Sequence, residues 1–201
     1  MQPDHVIAFN ITLLAAMASP GPALVVAIRT VLSAGGRAGM AIGSGLGIAA
    51  AGWTLAALVG LGAVLTLFPL SYVLVKIVGG LYLSYLAYRI WKAAPQPVAE
   101  TEIPPGHAFR SGLLVNLSNP KSVLFAAAVL VAIFPPDMDV AHKLAIAGNH
   151  LGIELVFYAI LAATMSRQAV RTRYFAMKLY LDRFAAVVLQ VLAINILFTL
   201  W

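Results

Sequence analysis

The chain has 201 residues, of which 62% are hydrophobic and 10% charged, with a formal net charge of +6. That much apolar surface needs lipid as its main solvent, so the composition excludes an ordinary water-soluble domain. The basic excess lies between apolar runs, where it sets orientation and does not point to nucleic acid, and the lack of cysteine removes disulfides and thiolate metal ligands.

Met1-Gln2-Pro3-Asp4 carries no basic residue ahead of the first apolar run, which argues against a cleaved signal peptide. The first predicted span, Val6 to Ile28, is interrupted by Ser19-Pro20-Gly21-Pro22. A connection with Arg29 and Arg37 leads to a charge-free stretch from Ala38 to Val75. This is too long for one crossing of about 20 residues, and Pro69 divides it into spans from Ala38 to Phe68 and from Leu70 to Ile90. Lys76, six residues past Leu70, is placed to snorkel to the outer interface. After a proline-rich segment comes a fourth span, Ser111 to Pro135, interrupted by Ser118-Asn119-Pro120-Lys121. Leu144 to Met165 and Phe184 to Trp201 complete six. Backbone groups in lipid must pair internally, and runs this long and uniformly apolar are unsuited to barrel strands. The expected fold is therefore all-α: a polytopic membrane protein of six transmembrane helices.

The two interruptions lie one hundred residues apart, and at that offset Phe9 falls on Phe109, Leu13 on Leu113, Pro20 on Pro120 and Ala27 on Ala127. At a slightly different offset, Gly43 to Ile48 matches Gly148 to Ile153 at four of six positions. The chain reads as a duplicated half: 1–92 is a first three-helix repeat, 93–108 a cytoplasmic linker and 109–201 a second repeat. Three helices is an odd number, so the second copy enters from the opposite face and the repeat is inverted. Ten basic residues flank the odd connections, against Lys143 alone in the even ones. The positive-inside rule then makes the odd loops cytoplasmic and places both termini outside.

Paired breaks in corresponding spans are the best sequence pointer to a transporter's binding site, because broken ends aim dipoles and free backbone groups at a midplane substrate. Pro20, Gly21, Pro22 and Pro120 break their helices by losing donors or stiffness. Lys121 and Glu154 each fall about ten residues into a span, where an ionised group is costly and usually paired or functional. An ion pair between them is one expectation; separate contacts to water or carbonyls in a hydrated cavity is the other. Asn116, Asn149, His150, Gln190 and Asn195 read individually as interhelical glue, whereas Asn119 lies inside the break beside Lys121. Gly35, Gly39, Gly43 and Gly47, with Gly148 and Gly152 in the fifth span, permit close helix packing and leave room for a homodimer without requiring one. Trp91 and Trp201 read as interfacial anchors.

Six apolar segments in about 200 residues, Ser19-Pro20-Gly21-Pro22 in the first, Asn116-Leu117-Ser118-Asn119-Pro120-Lys121 in the fourth, and Lys76-Ile77-Val78-Gly79-Gly80-Leu81-Tyr82-Leu83 in the third resemble the LysE/RhtB translocators over the whole chain. The resemblance implies a bacterial inner-membrane exporter of amino acids or related small solutes, driven by the proton gradient or membrane potential. It marks Ser19, Pro20, Gly21, Pro22, Asn119, Pro120 and Lys121 as the substrate site. Glu154, ahead of Phe157 and Tyr158, stands where members often carry a polar or acidic residue, and with Lys121 it is the expected proton-coupling pair. Branches of the family differ among lysine, arginine, homoserine, threonine, leucine and cadmium, so the resemblance leaves the substrate open.

The expected mechanism binds an amino acid between the halves, its carboxylate near the breaks and Lys121 and its ammonium near carbonyls or Glu154, with proton uptake by Glu154 resetting the carrier. No enzymatic activity and no cofactor are expected. Two alternatives remain: divalent metal efflux, poorly served by histidines at 5, 107, 142 and 150, and an intramembrane hydrolase pairing Ser44 with His150.

Overall fold

A computed structural model of the chain describes residues 3–19, 21–67, 71–96, 107–135, 138–165 and 167–198. Pro20, Pro69, Trp201 and most of the expected linker lie outside the described residues. Seven helices follow in order: α1 (Pro3–Ala18), α2 (Pro22–Leu67), α3 (Ser71–Ala93), α4 (Ala108–Leu117), α5 (Pro120–Ile133), α6 (Val140–Thr164) and α7 (Gln168–Phe198). No strand occurs among the described residues. The chain is an all-helical, multi-pass membrane protein. Three helical stretches, Ala23–Gly60, Val140–Thr164 and Thr172–Phe198, are long and apolar enough to cross a bilayer. The pair Ala108–Leu117 and Lys121–Leu130, bent by 66°, forms a fourth if taken as one broken span.

Both expected interruptions are real helix ends. α1 stops at Ala18 and α2 begins at Pro22; α4 stops at Leu117 and α5 begins at Pro120. Proline at the first position of a helix costs no hydrogen bond, so each break is also a clean start. Asn119 caps α5, its side-chain oxygen accepting from Lys121 N at 3.0 Å.

The first expected connection is hardly a loop. Helix α2 reverses at Gly35, whose φ of 81° and ψ of 175° suit glycine alone. Beyond the turn Gly39 comes so close to Val31 that a side chain there would overlap it. The fifth connection needs a larger correction. Residues 168–183, expected between spans, are the first half of α7. Nothing from Gln168 to Phe198 is glycine or proline, so the basic residues ride on a helix that continues into the apolar run.

The sequence halves do not pack as separate bodies. α2 packs on α4 and α6, α3 packs on α7, and α5 packs on both α2 and α3. The core accordingly falls into two apolar clusters. One joins Phe9 and Leu13 of α1, Leu83 of α3, Val129 and Leu130 of α5 and Leu189 of α7. The other joins Val26 and Ile28 before the Gly35 turn, Ile42 and Leu46 after it, and Tyr158 and Leu161 of α6.

Glycine sets the second group's spacing. The face of α2 carrying Gly39, Gly43 and Gly47 meets Ala162, Tyr158 and Glu154 of α6 in antiparallel register. A β-carbon at position 47 would lie 2.9 Å from Glu154 Cβ, and one at 43 would overlap the Tyr158 ring. Gly45 and Gly112 do the same for α2 and α4: a β-carbon at either would run into the other helix's backbone, at Phe109 and Ile42. Gly148 and Gly152 take no part, since a β-carbon there would meet nothing within 4 Å.

Candidate functional site

The two breaks face each other across a cavity of about 70 Å³, bounded by both apolar clusters. At 10–15 Å³ per water-sized group, that is room for about five to seven such groups, the scale of a small solute. Its polar wall includes Ser19, Gly21, Asn119, Lys121, His150 and Glu154.

Lys121 bridges the breaks. From the first turn of α5 its Nζ reaches Ala16 O in the last turn of α1, at 3.4 Å, and passes 3.6 Å from where a β-carbon on Gly21 would stand. A cation at a helix C-terminus meets carbonyls that lack intrahelical partners and the negative end of the dipole. Asn116 steadies the second break by donating to Leu46 O of α2 at 2.6 Å and accepting from Ser122 Oγ.

Glu154 lines the same cavity but does not pair with Lys121. Its Oε1 instead lies 3.5 Å from His150 Nε2, one helical turn away, with the two side chains 7% and 4% exposed. Lys121 and Glu154 do not pair in this conformation: Lys121 takes a backbone carbonyl and Glu154 faces His150. His150 Nδ1 sits 2.7 Å from Thr54 Oγ1 of α2, and its ring lies edge-on to Phe9. Ser44 points elsewhere, donating to Met40 O at 2.9 Å, so the structure does not assemble a Ser44 and His150 pair. Among the described residues, no three His, Asp or Glu side chains group as a metal set.

One buried charge escaped the sequence reading. Asp182, 2% exposed, accepts from Ser19 Oγ at 2.8 Å and from Lys178 Nζ at 2.7 Å. Tyr174, two turns earlier on α7, donates to Ala18 O at 3.1 Å. Together they clasp the first break from the α7 side, and Lys178 also donates to Ala93 O and Ala94 O at the C-terminal end of α3. The signal was present as Tyr174, Lys178 and Asp182 at spacings of four, but only a continuous helix gives that spacing meaning. Asn149 to Asn10 and Gln190 to Ser84 are hydrogen bonds across helices, the roles expected of those residues.

A multi-pass helical bundle with paired broken spans around one small polar cavity has the build of a membrane carrier. The family model described as LysE type translocator matches residues 14–199, and the chain belongs to that family. It is 29% identical to the uncharacterized membrane protein YahN of Escherichia coli K12, over 98% of this chain and 92% of that protein. It is 24% identical to the threonine efflux protein of the same organism, over 85% of this chain and 86% of that protein. It is 30% identical to the homoserine/homoserine lactone efflux protein of Salmonella typhimurium LT2, over 72% of this chain and 73% of that protein. No solved structure matches.

Proposed function

We propose that the chain is a secondary active transporter that exports a small neutral amino acid, of the threonine or homoserine kind, across the bacterial inner membrane. The observation that carries this is one cavity whose wall bears a lysine and a carboxylate not spent on each other. A zwitterion carries the complementary charges: its carboxylate goes to Lys121 and the ends of the breaks at 19–22 and 119–121, and its ammonium to Glu154. The cavity's size and the relatives' names both favour a small solute.

In this reading the chain crosses the membrane six times as two inverted repeats, 1–92 and 109–201, with both termini periplasmic. The packing favours rocking of the α2–α4–α6 group against α1, α3 and α7, with α5, which packs on both α2 and α3, between them. Glu154 takes up a proton from outside as the substrate leaves, so export runs on the proton gradient or membrane potential.

The test is efflux from dipeptide-loaded cells overproducing the protein, following every amino acid in the medium. Selective export of one or a few small neutral amino acids is expected, and Lys121→Met should reduce it at least tenfold without changing the amount of protein in the membrane, a loss of at least about 1.4 kcal/mol of substrate or transition-state stabilisation. Export by Lys121→Met at the wild-type rate would remove Lys121 from the site, and no selective export by the wild type would end the reading.

A further inference from the structure

His150 has no part in the mechanism above, yet its surroundings are built with care. It lies one turn from Glu154 on α6, and both side chains are more than nine-tenths buried on the wall of the same cavity. Thr54 Oγ1, itself fully buried, holds Nδ1 at 2.7 Å, and the edge contact with Phe9 fixes the ring plane. Nε2 is thereby aimed at Glu154. His150 Nε2 and Glu154 Oε2 nevertheless have no hydrogen-bond partner among the described residues, although buried polar atoms are rarely left so.

The Thr54 hydroxyl makes the ring indifferent to its own charge. It donates to a bare Nδ1 and accepts from a protonated one, so the imidazole can gain or lose a proton without turning. The 3.5 Å between Nε2 and Oε1 suits an imidazolium and carboxylate in loose contact. The two unpartnered atoms suit a third group that donates to both, and a primary ammonium has three such donors.

We propose that His150 and Glu154 form one cation-binding pair that holds either a proton or the substrate's ammonium, never both. This rests on the reading of the cavity as an amino-acid export site and supplies its coupling. The proton that Glu154 draws in from outside comes to rest on His150, as an imidazolium beside an ionised carboxylate. When the amino acid arrives, its ammonium donates to Glu154 and to neutral Nε2, and the proton leaves for the cytoplasm. One positive charge replaces another, so the pair has the same net charge in both loaded states. On the outer side a proton displaces the ammonium, and each amino acid exported is exchanged for one proton. The other titratable groups on this cavity are Lys121 from α5, whose charge is spent at Ala16 O and serves the carboxylate, and Tyr158 on α6. α2 presents Thr54 and α1 presents Phe9, neither of which titrates here.

The test uses the purified full-length protein and L-threonine as probe. Below the pair's titration, binding in weakly buffered solution should release about one proton per threonine, and the apparent Kd should weaken about tenfold for each unit by which the pH falls. His150→Gln, which removes the proton's seat and one acceptor for the ammonium, should bind threonine more weakly, release no proton on binding and lose the pH dependence. His150→Gln with wild-type proton release would overturn the proposal, as would wild-type protein that binds threonine and releases none. If His150→Gln does not fold, Thr54→Val decides: a displaced curve of proton release against pH supports the pair, and an unchanged curve overturns it. Wild-type protein that does not bind threonine overturns the export reading itself.

Discussion

Asp182 is held by two donors from two directions, Ser19 from the first break and Lys178 from one turn earlier on its own helix. Asp182→Ala would leave the Lys178 ammonium, 12% exposed, without its counter-charge. Losing one partner of a buried pair costs about 3 kcal/mol or more, and the thermal midpoint in detergent should fall accordingly. Asp182→Asn, which keeps an acceptor for Ser19, should lose less; equal losses would mean that the charge carries the whole effect and the Ser19 bond adds nothing. Lys121 was legible in the sequence as a midspan cation inside a break, and its place on the cavity follows. Its partner was not legible, because a helix C-terminus offers backbone carbonyls and leaves no mark in a pattern of side chains. Asp182 was hidden for a related reason: among Arg171, Arg173, Lys178 and Arg183 it reads as one more solvated loop charge.

Among the helices, α2 depends most on glycine, and on two different properties of it. At Gly35 the need is conformational, since φ of 81° with ψ of 175° is strained for any side chain. Gly35→Ala should cost about 1–3 kcal/mol in thermal stability; a smaller loss would show that the turn relaxes. At Gly47 the need is space. Gly47→Leu should push α6 away, destabilise by about 1–3 kcal/mol and reduce export by moving Glu154. Gly152→Leu, where a side chain meets nothing, should stay within about 0.5 kcal/mol and serves as the control. The breaks at Pro22 and Pro120 were visible in the sequence because proline cannot sit inside a helix without loss. The length of α7 was not: dividing a chain by hydropathy ends a span where charges begin, whereas a helix ends only where its backbone does.

At the scale of the whole molecule, helices from both halves of the sequence pack against one another, α2 on α4 and α6 and α3 on α7. The helical membrane class was legible from composition, because no other fold satisfies so apolar a backbone. Which helices pack together was not, because that depends on contacts between residues far apart in sequence. The register of α2 on α6 has a consequence of its own. With a notch at every fourth residue, α2 carries something like a reading frame. One alanine inserted after Gly43 turns the rest of the helix by about 100° and takes Gly47 off the α6 face. That insertion should prevent folded protein from accumulating in the membrane. Inserting a second Ser-Gly-Leu-Gly at the same place turns it by only about 40° beyond a full turn, keeps a glycine against α4 at position 45 and returns a glycine to face Glu154. Folded protein should then accumulate again, while Thr54, carried one turn along, no longer meets His150. An insertion of four would thus be read in frame by the packing and out of frame by the proposed His150–Glu154 pair, separating assembly from the proposed coupling within one helix.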